Sequence, residues 1–304
     1  MPELPDIALY LHALTPRIVG GRLEHLRIGS PFVLRSTDPP PADLEGRAVR
    51  ALHRLGKRIV LELDEERYAV LHLMIAGRLR WRARRAALPG RSGLAAFDFP
   101  NGTLLFMEAG ATHRASLHLV RGATALAQHD PGGTNVLSAT ATEFRATLTR
   151  ESHTLKRALT DPRLFDAIGN AYSDEILHAA RLSPLRLTGQ LTEAEIARLH
   201  QVARATLTTW IARLQEETGD AFPEKVTAFR AGMAVHGRYR QPCPDCGAPV
   251  QRIRYAANEA NYCASCQTGG RLLADRSLSR LLRADWPRSL DEWEERIGGK
   301  PASR

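Results

Sequence analysis

The sequence contains no apolar run that is long enough to cross a membrane. Residues 1–20 lack the basic start and apolar core of a secretory signal. Cysteine is scarce, with 4 residues in 304, and the chain has no internal repeat or low-complexity tract. These absences argue against a membrane protein and against a secreted domain held by disulfides. We therefore expect a cytoplasmic protein whose cysteines bind metal.

The charge balance is strongly basic. Lys and Arg outnumber Asp and Glu by 42 to 33, and the net charge is +9. A basic surface attracts polyanions, because Lys and Arg displace counterions from phosphates. A solvated basic surface without a partner explains the same numbers, so charge alone leaves both interpretations open. Hydrophobic residues make up 43% of the chain, enough for one large core or two ordinary ones.

The first part of the chain reads as one helix followed by strands. Apolar residues at helical spacing predict a helix over residues 4–14, which Pro16 is expected to end. Alternating apolar residues then predict strands, and Asn101-Gly102 predicts a hairpin turn. We therefore expect a β-rich domain over residues 1–126. The strand segments are 58–63, 68–74, 77–81 and 97–107.

Beyond residue 140 the pattern becomes helical. Short helices fit residues 141–150 and 153–160, and a third fits 170–182 with Asn170 as its N-cap. Thr192 and Glu195 match a capping box before a helix of about twenty residues. The expected divisions are a linker at 127–140, a helical domain at 141–235, a cysteine-bearing module at 236–270 and a tail at 271–304.

Four cysteines give the strongest local signal. Cys243 and Cys246 enclose two residues, as do Cys263 and Cys266, and 16 residues separate the two pairs. Two such knuckles on a hairpin place four thiolates at tetrahedral corners, which predicts one zinc ion. Because all four positions are ligands, we expect a closed structural site. A redox pair or unligated thiols are the alternatives, and zinc alone does not choose between nucleic-acid binding and protein docking.

The chain opens with MPELPD. A Pro-Glu start is an ordinary entry into a first helix, but it also has a chemical interpretation. If Met1 is removed, Pro2 becomes a secondary amine beside a carboxylate. Such an amine can attack an aldehydic sugar carbon and form a Schiff base. These residues alone leave both interpretations open.

Taken in chain order, the motifs resemble the formamidopyrimidine-DNA glycosylase/endonuclease VIII family, the helix–two-turn–helix enzymes of base-excision repair. They are PELPD, RLGKRIVLEL, LHLM, LKRALTDPRLFDAIGNAYSDEIL and the tetracysteine hairpin, which together cover about residues 1–270. The resemblance implies an α+β, two-lobed fold. A β-sandwich with an N-terminal helix precedes a helical helix–two-turn–helix lobe with a zinc finger. Damaged double-stranded DNA is expected to bind a monomer between the lobes, which implies a nucleoid-associated protein if the source is bacterial.

The resemblance also implies catalytic roles. Pro2 matches the family nucleophile, whose amine attacks sugar C1′, expels the damaged base and leaves an imine that leads to β-elimination. Glu3 matches the acid/base carboxylate that assists opening of the sugar ring. Lys57 matches a hairpin lysine that holds the phosphate beside the flipped nucleotide. Taken alone, Glu3 would be a helix N-terminal acid and Lys57 a solvated surface lysine.

Five further positions are implied as DNA contacts. His72 matches a phosphate-binding histidine, and Lys156 matches a lysine near the lesion pocket. Asn170 lies where a turn enters a helix, and free backbone N–H groups at such a turn bind phosphate. Arg114 falls in the segment that corresponds to the loop inserted into the duplex. Asn258 stands where the family has a phosphate-gripping arginine.

The sequence departs from the family at two places that bear on activity. The family commonly has HLGM where this chain has His72-Leu73-Met74-Ile75, so its gap-filling Met falls on Ile75. Asn258 can donate a hydrogen bond to phosphate but carries no charge, which weakens the case for δ-elimination. Arg271, beyond the last cysteine, is a candidate to compensate.

Three functional hypotheses follow. The first is a bifunctional DNA glycosylase/AP lyase that removes oxidised bases through a Pro2 Schiff base and β-elimination. The second is a non-catalytic protein that binds damaged or abasic DNA on the same scaffold, which the departures favour. The third is a zinc-ribbon protein that binds RNA or a protein, and it leaves the N-terminal half unexplained. The joint presence of Pro2, Glu3 and Lys57 favours the first.

Overall fold

In the computed structural model, the chain forms two compact units. The structure describes residues 1–36, 38–109, 114–224, 226–255, 258–274, 287, 289–290 and 292. The first unit contains residues 1–133 and 207–228, and the second contains 134–206 and the described residues from 229 onward. Among the described helices, none combines the length and the apolar character that a bilayer span requires.

The first unit begins with helix α1, Leu4–Ile18. Its buried face carries Ile7, Tyr10 and Leu14, which join the core of this unit. The expectation that Pro16 ends the helix is wrong, because the helix continues through Pro16 to Ile18. Proline removes one backbone donor, but its fixed φ is helical, and the buried Ile18 adds to the core beyond it.

Eight strands form two antiparallel four-stranded sheets in the first unit. One sheet has the order β1-β6-β7-β5 and the other β2-β3-β4-β8. Apolar residues of both sheets, such as Leu61 and Phe97, meet in a single core with α1, so the arrangement is a β-sandwich. The strands are β1 His25–Ile28, β2 Val49–Leu55, β3 Arg58–Leu63, β4 Arg67–His72, β5 Gly77–Arg82, β6 Gly93–Phe99, β7 Gly102–Glu108 and β8 Ser116–Arg121.

The hairpin predicted at Asn101-Gly102 is present between β6 and β7. Phe99 pairs with Gly102 across the turn. A Cβ atom at Gly102 would lie 2.4 Å from Cζ2 of Trp81, so only glycine fits beneath the indole ring. Helix α2, Ala123–Ala127, follows β8.

Helices dominate the second unit. They are α3 Ala141–Thr149, α4 Leu155–Thr160, α5 Asn170–Ala179 and α6 Glu193–Thr218, and the last belongs in part to each unit. Aromatic side chains pack between them, with the rings of Phe144 and Phe165 4.9 Å apart. The capping box at α6 is present, since Thr192 and Glu195 exchange backbone and side-chain hydrogen bonds. The predicted N-cap Asn170 is wrong, because Gly169 occupies that position and Asn170 is the first helical residue.

The cysteine-bearing module is a hairpin followed by a short helix. Strands β9, Val250–Tyr255, and β10, Asn258–Cys263, pair antiparallel, and α7, Ala264–Thr268, follows directly. Ile253 and Tyr262 pack with Ala264 and Leu272 in a small core. The fold is therefore α+β, with an N-terminal helix, a β-sandwich and a helical unit that carries a cluster of four cysteines. Of the tail predicted at 271–304, only residues 271–274, 287, 289–290 and 292 are among the described residues.

Candidate active site and metal centre

The N-terminal segment lies against the sandwich. Pro2 is buried and Glu3 is 3% exposed, whereas Met1 is 39% exposed. The backbone N–H of Glu3 donates to Oδ2 of Asp6 at 2.9 Å, which fixes the entry of the chain into α1. The segment that contains the proposed nucleophile is therefore held by helix capping and burial.

Four charged side chains act on the N-terminal amine. Burial lowers the pKa of the Met1 amino group, the negative charges of Glu3 and Asp6 oppose that shift, and the positive charges of Arg78 and Lys57 reinforce it. Lys57 comes from the β2–β3 turn. The structure thus brings Glu3 and Lys57, two of the three predicted catalytic residues, close enough to the chain start for their charges to be felt there.

His72 ends β4 beside the same turn. It pairs in register with Arg58, the residue after Lys57. Burial is the largest cause that lowers the pKa of His72 to about 4, and the positive charges of Arg58 and Lys57 act in the same direction. The imidazole is therefore neutral at neutral pH and can donate one N–H to a phosphate.

The turn after His72 presents an apolar tip. Met74 has a φ of +51°, in the left-handed region that disfavours side chains with a Cβ. Ile75 follows and is 60% exposed. Nη1 of Arg78 donates to the Ile75 carbonyl at 3.1 Å, which supports the tip from below. Ile75 thus projects from the turn at the position where the resemblance places the gap-filling residue.

Arg114 is exposed and lies two residues before β8 begins at Ser116. The buried Glu108 carboxylate accepts the backbone N–H groups of Arg114 and Ala115, each at 3.1 Å. These bonds anchor the end of the loop that was expected to enter the duplex. Residues 110–113 of that loop lie outside the described residues.

In the second unit, Lys156 and Asn170 meet. Nζ of Lys156 donates to the Asn170 carbonyl at 2.6 Å and to Oδ1 of Asp174 at 2.5 Å. Nδ1 of His236 lies 2.8 Å from Oδ2 of the same carboxylate. All three ionisable side chains are buried, so one carboxylate holds a lysine and an imidazole in fixed positions.

Sequence reasoning missed Asp174 and its neighbour Glu175. Glu175 accepts the backbone N–H groups of Ala234, Val235 and His236 at 2.7, 2.9 and 2.9 Å. Both acids follow Asn170 on α5, in a stretch where every residue from 171 to 178 is buried. Two adjacent acids in a buried helix were the available signal, since buried carboxylates require partners.

The side-chain amide of Asn170 connects the start of α5 to the cysteine hairpin. Nδ2 of Asn170 donates to the Glu259 carbonyl at 2.8 Å. Oδ1 of Asn261 accepts the Gly237 N–H at 2.8 Å from the same strand. The entry to α5, the segment near His236 and β10 therefore share one hydrogen-bond network.

Asn258 begins β10 and pairs with Tyr255. On the neighbouring strand, the guanidinium of Arg252 lies 4.1 Å from the ring centre of Tyr239 and 3.5 Å from a carboxylate oxygen of Glu259. Arg271 forms an isolated bridge with Ser289. Nothing in these contacts tests the predicted DNA contact at Asn258.

The four cysteines converge as predicted. Their sulfur atoms all lie within 4.8 Å of one another, with Cys243 and Cys266 at 3.9 Å and Cys246 and Cys263 at 3.4 Å. Four thiolates around tetrahedral zinc lie about 3.8 Å apart, given Zn–S bonds of about 2.3 Å, so the cluster fits that ion. Nε2 of His178 lies 3.3 Å from Cys243 Sγ, where an N–H supports a thiolate.

The comparisons with known proteins agree with this architecture. Residues 1–168 match the formamidopyrimidine-DNA glycosylase N-terminal domain, and residues 133–220 match the formamidopyrimidine-DNA glycosylase H2TH domain. These two matches span the sandwich and the helical segment that carries Lys156 and Asn170. The chain belongs to the formamidopyrimidine-DNA glycosylase family.

Individual relatives cover most of the chain. The formamidopyrimidine-DNA glycosylase of Symbiobacterium thermophilum is 30% identical over 88% of this chain and 89% of its own length. That of Thermus thermophilus is 31% identical over 89% of this chain and 100% of its own length. An uncharacterised formamidopyrimidine-DNA glycosylase-like protein of Mycobacterium tuberculosis is 36% identical, over 50% of this chain and 94% of its own length.

Solved structures share the fold. A complex of the Lactococcus lactis Fpg protein with abasic-site DNA superimposes with a TM-score of 0.76 at 23% identity, over 88% of this chain and 99% of that chain. A structure of MutM with DNA containing carbocyclic 8-oxo-G gives the same TM-score and identity, over 88% of this chain and 100% of that chain.

Proposed function

We propose that this protein is a base-excision repair DNA glycosylase with AP lyase activity. The observation that carries the proposal is the convergence of Glu3, Lys57 and Arg78 on the buried N-terminal segment that contains Pro2. Family membership supplies the reaction class, and these charges supply the chemistry. The substrate class is double-stranded DNA that bears an oxidised base or an abasic site, which the protein binds as a monomer.

The reaction needs Met1 to be removed. The Pro2 nitrogen then has a lone pair, and burial, which lowers the pKa of the Met1 amine, favours the neutral form of an amine one residue further in. The lone pair forms a bond to sugar C1′, and the electrons of the glycosidic bond leave with the base. The Pro2 nitrogen loses its proton and the departing base takes up one, so the nitrogen is again neutral.

In the next steps Glu3 donates a proton and Lys57 binds a phosphate. A proton from Glu3 to the ring oxygen O4′ opens the sugar as the iminium forms between Pro2 and C1′. The iminium acidifies the hydrogen on C2′. Removal of that proton forms a C1′–C2′ enamine, which expels the 3′-phosphate and cleaves the strand by β-elimination. The ammonium of Lys57 holds a phosphate beside the reacting nucleotide.

The remaining predicted residues bind DNA. His72 offers a neutral N–H to phosphate at the same end of the sandwich, and Arg114 contacts the strand opposite the lesion. In the second unit, Lys156 and the backbone N–H groups at the start of α5 near Asn170 contact phosphates. Asn258 donates without charge, so δ-elimination is weak or absent. The four cysteines hold one zinc ion, whose role is to fix the hairpin that carries Asn258.

A damage-binding protein without turnover is the second candidate. Asn258, where the family has arginine, favours it. Binding alone, however, has no need of an amine at the chain start. The two candidates differ in one reaction, the reduction of an imine between protein and DNA.

The proposal is tested with untagged, zinc-loaded protein whose N-terminus is checked by mass. The protein is incubated with an abasic-site duplex and borohydride, and in parallel with duplexes that carry oxidised bases. We expect a covalent adduct with abasic DNA, base release from at least one oxidised lesion, and neither product from Pro2→Gly. A correctly processed protein that binds the abasic duplex but forms no adduct would support the damage-binding candidate.

A further inference from the structure

A basic group lies on the outer face of the sheet β2-β3-β4-β8. Ile59 and Leu61 of β3 enter the sandwich core, so alternation directs Arg58 and Val60 to the opposite face. Val60 there packs in a separate small cluster with Val70 and Val120. The outer face of this sheet thus has an apolar centre with Arg58 near one end.

Two histidines adjoin that centre. His118 of β8 lies opposite Val70 in register and therefore shares its face. His129 follows α2, and the centre of its ring lies 4.6 Å from the centre of the His118 ring. We call Arg58, His118 and His129 the histidine face. His72 pairs with Arg58, so this face borders the proposed phosphate site of His72 and Lys57.

The positive charge of the histidine face comes from Arg58. Burial lowers the pKa of Arg58, and the one opposing charge that acts on it is Asp130. Within the part of the chain that the structure describes, the Arg58 guanidinium has no hydrogen-bond or ion-pair partner. A half-buried guanidinium without such a partner is a ready site for an anion.

The imidazoles respond to the same environment. Burial is the largest cause that lowers the pKa of His118 to about 4, and His129, Arg58 and Arg35 act in the same direction. Burial and Arg58 also lower the pKa of His129. Both rings are therefore neutral at neutral pH, and an anion placed between them and Arg58 would reverse the electrostatic part of these shifts.

The charges select an anion over a metal ion. A divalent cation at these imidazoles would face the repulsion of Arg58. The clusters of potential metal ligands among the described residues all include cysteines of the zinc module, and none includes His118 or His129. A phosphate, by contrast, receives the guanidinium and ring N–H groups together.

We propose that the histidine face binds a backbone phosphate of DNA, next to the phosphate held by His72 and Lys57, and takes up protons as it does so. This inference rests on the proposed function for the identity of the ligand as DNA. The histidine face contacts backbone and not the lesion, so the effect extends to undamaged duplex.

Fluorescence anisotropy of a labelled duplex tests the inference. The duplexes are undamaged DNA and DNA with a tetrahydrofuran abasic analogue, titrated from about pH 7.5 to about pH 5.5, where imidazoles gain charge. As the pH is lowered, we expect the Kd of the wild type to decrease more steeply than the Kd of His118→Phe/His129→Phe. Each proton fully taken up on binding lowers Kd by up to about tenfold per pH unit. Phenylalanine preserves the ring packing, and thermal melting checks that the variant is folded.

Two further variants sharpen the test. His53 lies on β2, the edge strand at the other side of this sheet from β8, and pairs with Val60. His53→Phe is expected to keep the wild-type dependence of Kd on pH. Arg58→Gln is expected to reduce the slope of log Kd against log salt by about one phosphate contact, or about 0.9. Equal pH slopes in wild type and the double variant, with folded protein, would overturn the inference.

The inference and the proposed function fail separately. A wild-type protein that traps on abasic DNA while all variants share one pH slope leaves the glycosylase proposal intact and rejects the histidine face. If the wild type forms no covalent adduct with abasic DNA but the double variant loses the pH dependence of binding, the glycosylase proposal is rejected and the histidine face is supported. In a last control, inorganic phosphate is added to the wild-type protein at constant ionic strength. If duplex binding is not selectively weakened, the result supports DNA as the ligand. Loss of the pH slope in its presence would instead identify a free-phosphate site.

Discussion

Asp174 and Lys156 form a buried ion pair, with 2.5 Å between Oδ1 and Nζ. Neither the spacing of the residues nor the composition of the sequence predicts it. Lys156 lies on α4 and Asp174 on α5, and the same ammonium group also donates to the carbonyl of Asn170, the first residue of α5. The pair fixes an ammonium group beside the helix entry that is proposed to bind phosphate. Its other partner, His236, belongs to a distant segment of the chain, so the carboxylate joins three parts of the second unit.

Replacement of Asp174 by Asn is expected to destabilise the protein strongly. Removing one partner leaves the Lys156 ammonium buried without its counter-charge, which costs about 3–5 kcal/mol. Urea unfolding would measure the loss. Glu217→Gln is the control, because its exposed pair with Arg213 contributes at most about 1 kcal/mol. Equal unfolding free energies for the two variants would show that Lys156 finds solvent or another partner.

Replacement of Glu3 by Gln is expected to slow imine formation on abasic DNA by about 10²–10⁴-fold, the usual contribution of a general acid or base. The affinity for the tetrahydrofuran duplex is expected to stay close to wild type, because no DNA contact is assigned to Glu3. Single-turnover trapping and anisotropy measure the two quantities. A matched loss of binding and trapping would contradict the assigned role and point to a collapsed α1 N-terminus.

The metal content is a direct prediction of the cysteine cluster. Native mass spectrometry is expected to find one zinc ion per chain, and Cys263→Ser to lose it. Because Cys263 is fully buried in the module, a chelator is expected to lower the melting temperature of the wild type. A wild-type protein that melts at the same temperature with and without chelator, after metal loss is verified, would contradict a structural role.

Stability is expected to fall as the pH falls from about 6.5 to about 4. His72 and His118 have pKa values lowered from 6.5 to about 4 in the folded protein. Above 6.5 both states are neutral and contribute no pH dependence. Below it the unfolded chain binds protons that the folded chain rejects, so the unfolding free energy decreases until the folded pKa is reached.

The variant His118→Phe isolates this effect. It is expected to flatten the dependence of unfolding free energy on pH in that interval. Urea titrations at matched ionic strength provide the measurement. A decrease of equal slope in the wild type and His118→Phe would assign the acid sensitivity to other groups.

Local pattern was sufficient where local chemistry decides the structure. Alternation predicted β3, the Asn101-Gly102 turn predicted a hairpin, and cysteine spacing predicted a cluster that the structure brings together. Local preference misled where a longer-range contact competes. Asn170 is a good N-cap residue, but its amide donates to Glu259 on β10. Pro16 is a common helix terminator, but the buried Ile18 extends α1 beyond it.

The residues of the candidate site likewise fall into those that a local motif predicts and those that only long-range contacts bring together. Motif order pointed to Glu3, Lys57 and the four cysteines, because each lies in a recognisable segment. Asp174 and His236 are 62 residues apart, and neither has a local pattern that names the other. The histidine face likewise arises from strand register, which aligns Arg58 with His72 and His118 with Val70 only after β3, β4 and β8 are paired.

The central claim is that the Pro2 nitrogen bonds to the sugar of damaged DNA. The most direct measurement is peptide mapping of the borohydride-reduced adduct formed by untagged protein on an abasic-site duplex. The account predicts that the deoxyribose remnant is attached to the N-terminal peptide at residue 2, with Met1 absent. An adduct mapped to Lys57 or another lysine would contradict Pro2 as the nucleophile while retaining imine chemistry. No adduct from processed, zinc-loaded protein that binds the duplex would contradict the lyase activity itself.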